Sequence, residues 1–191
     1  MNKLRQVLVL VVVTFCILQC TSTLKNTFQN ELDNYLLYSN SGEWDKLLDM
    51  TYPKVFELSS RDQMIESMKQ MEASGLKINT KKAEVKSVSE PIVVDEVYYA
   101  HLEYEGEIEF ILSEEMKAQS GIIFSQLKDS YNEGEVIFAE DKGAFHIEAI
   151  KSMFAISEDN KKTWTFFEYN KNQKEYLKEL FPEDVLNKFM P

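Results

Sequence analysis

Cysteine is nearly absent from this sequence: Cys16 and Cys20 are the only two in 191 residues. A disulfide framework, a Cys-x-x-Cys redox pair and a cysteine-built zinc site are therefore excluded for the rest of the chain. Histidine is as scarce, with His101 and His146 alone, and no His-Glu-x-x-His, nucleophile elbow or glycine-rich phosphate loop occurs. No cofactor and no metal are expected. Six glycines and four prolines leave no room for a flexible interdomain linker, and there are no repeats or low-complexity tracts. Basic residues are short as well, 21 against 32 acidic, for a formal charge of −11. So acidic a surface repels phosphate backbones and anionic headgroups, which excludes nucleic acid as a partner. Finally, no apolar run reaches the roughly 20 residues of a spanning helix.

The longest apolar run is Val7 to Leu18, preceded by Lys3 and Arg5, and it reads as a secretory signal. It ends at Ile17-Leu18-Gln19-Cys20, which resembles the cleavage box of a bacterial lipoprotein. Leu18 and Cys20 suit that box, whereas Gln19 stands where a small residue is usual. The resemblance implies cleavage after residue 19 and a lipid on Cys20. The chain is then anchored to a membrane of a bacterial cell envelope, facing the periplasm or the surface, without spanning it. The alternatives are an ordinary signal peptide with a chance cysteine, or an uncleaved anchor. Residues 20–25 read as a polar tether and residues 26–191 as one domain. Hydrophobic content of 44% is enough to give that domain a core.

The first half of the domain has a helical period. Leu24, Phe28, Leu32, Tyr35 and Leu36 form one apolar stripe, closed by Asn40-Ser41-Gly42. A short helix from Glu43 to Met50 buries Trp44, Leu47 and Leu48, and Tyr52-Pro53 breaks it, because proline disfavours a helical residue before it. Ser60-Arg61-Asp62-Gln63 has capping-box spacing. The helix it opens presents Met64, Ile65, Met68 and Met71 on one face and ends at Gly75. Such a methionine stripe reads first as adaptable core packing.

After Gly75 the period changes to two. Leu76 to Ser89 is a strand, Glu90-Pro91 a break, and a hairpin partner follows. Val97 to Leu112 is the clearest strand, with Ala100, Leu102, Tyr104, Gly106, Ile108, Phe110 and Leu112 on one face. His101, Glu103, Glu105, Glu107 and Glu109 occupy the other, and Gly106 is where so long a strand is expected to bend or bulge. Ser113 to Tyr131 reads as an inserted helix or an irregular excursion, with Gly121 in its middle counting against the helix. Strands over Val136–Ala139, Ala144–Ser157 and Trp164–Tyr169, then C-terminal helices broken at Pro182, complete the chain.

The expected class is α+β, with N-terminal helices packed on a long, curved, cone-like antiparallel sheet. The order of Ser41-Gly-Glu-Trp-Asp-Lys-Leu-Leu, Tyr52-Pro-Lys-Val-Phe, Gln63-Met-Ile-Glu-Ser-Met, Phe154-Ala-Ile and Trp164-Thr-Phe-Phe-Glu168 resembles the nuclear-transport-factor-2-like (SnoaL-like, cystatin-like) superfamily over roughly residues 26–170. That resemblance implies a cone-shaped cavity, lined here by Trp44, Tyr52, Phe56, Met64, Met68, Leu102, Tyr104, Ile108 and Phe110. It does not settle function, because the fold hosts isomerases, dehydratases, hydrolases and binding proteins.

Three readings follow, in order of preference. The first is a non-catalytic envelope domain whose cone or sheet holds a small apolar ligand or a partner protein. The second is an isomerase, dehydratase or hydrolase using His101 or His146 in the cone with Tyr104. The third is a structural homodimer formed through the sheet. The glutamate stripe reads as cross-strand pairing with Lys77, Lys81, Lys82 and Lys86. A calcium site is the poorer reading, because carboxylates about 7 Å apart along a strand cannot wrap one ion.

Overall fold

The computed structural model describes residues 23–131, 134–170 and 174–190; the segment read as a signal and Cys20 lie outside them. It is an α+β fold, in which helices precede an open, curved, six-stranded antiparallel sheet. Helix α1 covers residues 23–41, so helix is already formed within the segment read as tether, where Leu24 is buried. Helix α2 (Trp44–Asp49), a 3-10 turn (Pro53–Glu57) and α3 (Arg61–Ala73) follow. Then come β1 (Leu76–Val88), β2 (Ile92–Val94) and β3 (Val97–Leu112), two helices, α4 (Glu114–Lys117) and α5 (Ser120–Ser130), and β4 (Glu135–Ala139), β5 (Ala144–Ser157) and β6 (Thr165–Tyr169). The chain closes with α6 (Lys174–Leu180) and α7 (Glu183–Phe189). Among the described residues no helix is long and apolar enough to cross a membrane.

The central path of the sheet is β1-β3-β5-β4; β2 pairs with the start of β3, and β6 with the end of β5. Facing pairs set the two sides. Leu102, Tyr104, Gly106 and Ile108 stand opposite Met153, Lys151, Ala149 and Ile147 on the concave face, where Leu102, Tyr104 and Met153 cluster with α1 and Ile108, Ala149 and Ile147 with α4 and α5. Glu103, Glu105, Glu107 and Glu109 stand opposite Ser152, Ile150, Glu148 and His146 on the outer face.

Curvature comes from β1. Its register against β3 slips between Thr80 and Lys82 and again between Val85 and Ser87, whereas Gly106 pairs regularly with Ala83 and Ala149. The bend expected at Gly106 is therefore produced on the neighbouring strand, where an extra residue increases local twist. The slips bring Lys81, Lys82 and Lys86 to the glutamate face. Lys81 reaches Glu109 at 2.8 Å, Lys82 reaches Glu105 at 2.9 Å, and Lys86 reaches Glu105 at 2.8 Å. Glu105 is held down to about 2 by hydrogen bonds and charge from Lys86 and Lys82.

The outer edges of β1 and β6 are each met by another part of the chain. The Gln29 amide donates to Ala83 O at 2.8 Å and accepts from Val85 N at 2.9 Å; Asn40 does the same for Thr80 at 2.8 and 2.9 Å. These two side chains imitate a strand along the outer edge of β1, which otherwise offers unpaired backbone groups. On the other side, Phe166 N donates to Met50 O at 2.7 Å and Tyr52 N to Phe166 O at 3.0 Å, capping β6.

The third helix starts at the capping box: Gln63 N donates to Ser60 Oγ, and Ser60 N to Gln63 Oε1. It ends at Gly75, whose φ is +90°, where a Cβ would stand 2.4 Å from Ser113 Oγ. Gly75→Ala therefore meets both a left-handed backbone and a clash with the start of α4. We expect it to lower stability by about 1–3 kcal/mol, read as a lower urea midpoint with an unchanged slope.

Candidate functional site

Between α1–α3 and the concave face lie two adjoining cavities. One, of about 200 Å³, is lined by Leu32, Leu48, Val55, Phe166 and four methionines, Met50, Met64, Met68 and Met153. The other, of about 190 Å³, is lined by Trp44, Met71, Ile78, Tyr104, Ile108, Phe110, Tyr131 and Lys151. Tyr35, Leu47 and Met68 line both and form the wall between them. Helix α3 presents its methionines here and has no fully buried residue. Its stripe reads as core packing, but these side chains border space that they do not fill.

Of the residues expected in the cone, Trp44, Met64, Met68, Tyr104, Ile108 and Phe110 border these cavities. Leu102 is fully buried in the packed core beside them. Tyr52 and Phe56 are elsewhere. Because Met50–Tyr52 caps the edge of β6, the Tyr52 ring passes round that edge and stacks on Phe181 at 5.4 Å, in the core beneath α6 and α7. Phe56 is half-buried, with the Arg61 guanidinium 6.0 Å from its ring.

Four polar residues of the cone were not picked out by sequence reasoning. Lys151 on β5 faces Tyr104, and its ammonium pairs with Glu168 Oε1; Tyr104 donates to Glu168 Oε2 at 2.5 Å. The same ammonium lies 5.9 Å from the Tyr104 ring and 5.7 Å from the Tyr131 ring. Tyr35 on α1 completes the group. Burial, the largest single influence, would lower the Lys151 pKa, but the Glu168 carboxylate together with Tyr131 and Tyr35 turns the net shift upward. Burial, then Glu168, pushes Tyr35 up to about 12 and Tyr104 well above its ordinary range. Tyr131 is raised mainly by burial. At neutral pH the cluster therefore holds a charged ion pair and three neutral phenols, with both Glu168 oxygens engaged. It can donate hydrogen bonds, but it offers neither a neutral amine nor a free carboxylate to act as base.

Neither histidine borders the two cavities, so the alternative reading that uses one of them there as a base has no histidine in place. His146 lies on the outer face, its Nδ1 3.3 Å from Glu109 Oε1. His101 sits on the same face beneath α7, among the rings of Phe189, Phe154 and Tyr169 at 5.9, 6.1 and 6.1 Å. Its Nε2 is buried with no hydrogen-bond partner among the described residues. Burial lowers its pKa below the usual 6.5, with Glu103 opposing. A depressed histidine pKa means that the unfolded chain binds the proton first, so stability falls as pH drops through 6.5. We expect His101→Phe to match or exceed wild type in stability at pH 8. Its advantage in melting temperature should then widen as pH is lowered from about 7.5 to about 5.

Compared with known proteins, the chain matches no family model and no curated sequence.

Proposed function

We propose that this chain is an exported, lipid-anchored envelope protein of nuclear-transport-factor-2-like architecture, whose cone holds a small apolar ligand without converting it. The observation that carries the reading is the pair of cavities divided by Met68 and Leu47, under a helix that leaves its methionines half-buried. A cavity of about 150 Å³ already admits a benzene-sized guest, so either cavity has room for one. Methionine is flexible and polarizable, which suits a wall that repacks around different shapes. Neither histidine borders the cavities and Lys151, the one lysine that does, is held by Glu168, which favours binding over turnover. The signal segment with Cys20 supplies the anchor, since a protein surface so acidic gives no attraction to anionic lipid.

Two tests address the two halves of this reading. A bacterium expressing the full chain and fed radiolabelled palmitate should place label on the protein, and Cys20→Ala should lose it. Met68→Trp, which fills the wall between the cavities, should abolish uptake of an apolar naphthylamine dye with the melting temperature held or raised. A Met68→Trp protein that takes up dye like wild type contradicts the cavity assignment.

A further inference from the structure

The polar cluster of the cone spans its two cavities. Lys151, Tyr104 and Tyr131 border the second, Glu168 borders the first and Tyr35 borders both, while the rest of the first is walled chiefly by aliphatic, aromatic and methionine side chains. An ammonium has three N–H donors, and Glu168 takes one of those on Lys151. Among the described residues no hydrogen-bond partner meets the Tyr35 or the Tyr131 hydroxyl. The second cavity thus borders a set of unused donors on Lys151, Tyr35 and Tyr131.

The charge around these donors narrows the guest. Glu168 already neutralises Lys151, and the remaining charged residues bordering the two cavities are acidic, Glu31 in the first and Glu72 in the second. A second carboxylate brought to Lys151 would meet three others. A cationic head would meet the Lys151 ammonium. An uncharged oxygen accepts from these donors without either repulsion.

We propose that the ligand is an amphipathic molecule with an uncharged, hydrogen-bond-accepting head, an amide or ester carbonyl. Its oxygen is received by Lys151, Tyr35 and Tyr131, and its apolar tail of about six to nine carbons crosses Met68 into the methionine-lined cavity. This rests on the cone being the ligand site. The upward shifts of Tyr35 and Tyr131 agree with it, because they keep both phenols protonated as donors.

The test compares octanamide, octanoate and octylammonium, which share one tail, with toluene as a headless guest. Binding is measured calorimetrically at pH 7.5 on the full-length protein in amphipol. Octanamide should bind at least about tenfold more tightly than either ion. Tyr35→Phe/Tyr131→Phe removes two hydroxyls while keeping the rings. It should weaken octanamide about tenfold, the worth of two modest hydrogen bonds, and leave toluene unchanged. Equal binding of all three octyl compounds, or preference for either ion, overturns the head-group assignment while the apolar cavity stands. Failure of toluene and all three octyl compounds to bind overturns the cavity reading as well.

Discussion

Replacing Lys151 by methionine alone is expected to cost about 2–4 kcal/mol of stability, and Lys151→Met/Glu168→Gln is expected to recover most of it. The Lys151 side chain is 17% exposed and that of Glu168 is 33% exposed, so the pair sits partly out of water. Without the ammonium, the Glu168 carboxylate keeps only the Tyr104 hydroxyl and must be rehydrated or protonated within the cone. A buried ion pair contributes little net stability, but half of one is expensive. The signature is therefore non-additivity. Urea midpoints of the two single variants and the double variant should give a coupling of about 1 kcal/mol or more. Purely additive losses would mean that the two groups do not act as a pair. Glu168 borders the methionine-lined cavity, so the single variant, which leaves its carboxylate without the ammonium there, should lose ligand affinity together with stability.

The other large effect belongs to the opposite face. Phe154→Ala should cost about 3–5 kcal/mol, because it empties the centre of a core that cannot collapse. Phe154 is fully buried, with the Tyr169 ring stacked 4.6 Å away and the Phe181 ring at 4.7 Å. Leu177, Leu180, Val185 and Leu186 hold α6 and α7 against the same cluster. The loss should be local before it is global. Hydrogen exchange should rise first in α6 and α7, while amides of α1 and β1, joined through Gln29 and Asn40, keep their protection. Uniform loss of protection would show that the two faces of the sheet unfold as one unit.

These two sites differ in how far they can be read in the sequence. Ser60 and Gln63 announce the start of α3, and the alternation from Ala100 to Leu112 identifies the concave face of β3, because both signals are local. The inserted helices between Ser113 and Tyr131 are legible for the same reason. Lys151 and Glu168 are not. Their meeting with Tyr104 depends on the register of β5 against β3 across a connection of some thirty residues, which no local pattern states. The face of β5 is also hidden, since α6 and α7 cover the outer side at one end and both parities carry apolar residues there. Tyr52 misleads for a related reason. Its proline marks a break correctly, but only the backbone pairing of Met50 and Tyr52 with Phe166 shows which side of the sheet the ring reaches. Likewise, the bend expected from Gly106 is made by Lys81 and Lys86, residues with no conformational signature of their own.

The methionines provide the most direct test of the cone as a binding cavity. Met50, Met64, Met68 and Met153 border the first cavity, whereas Met116 and Met190 border neither cavity and serve as internal controls. In a titration with toluene followed by methionine-methyl carbon-13 NMR, the four cavity methyls should shift together and saturate, with Met116 and Met190 unmoved. Shifts that never saturate, or that affect all six methyls alike, would contradict the account.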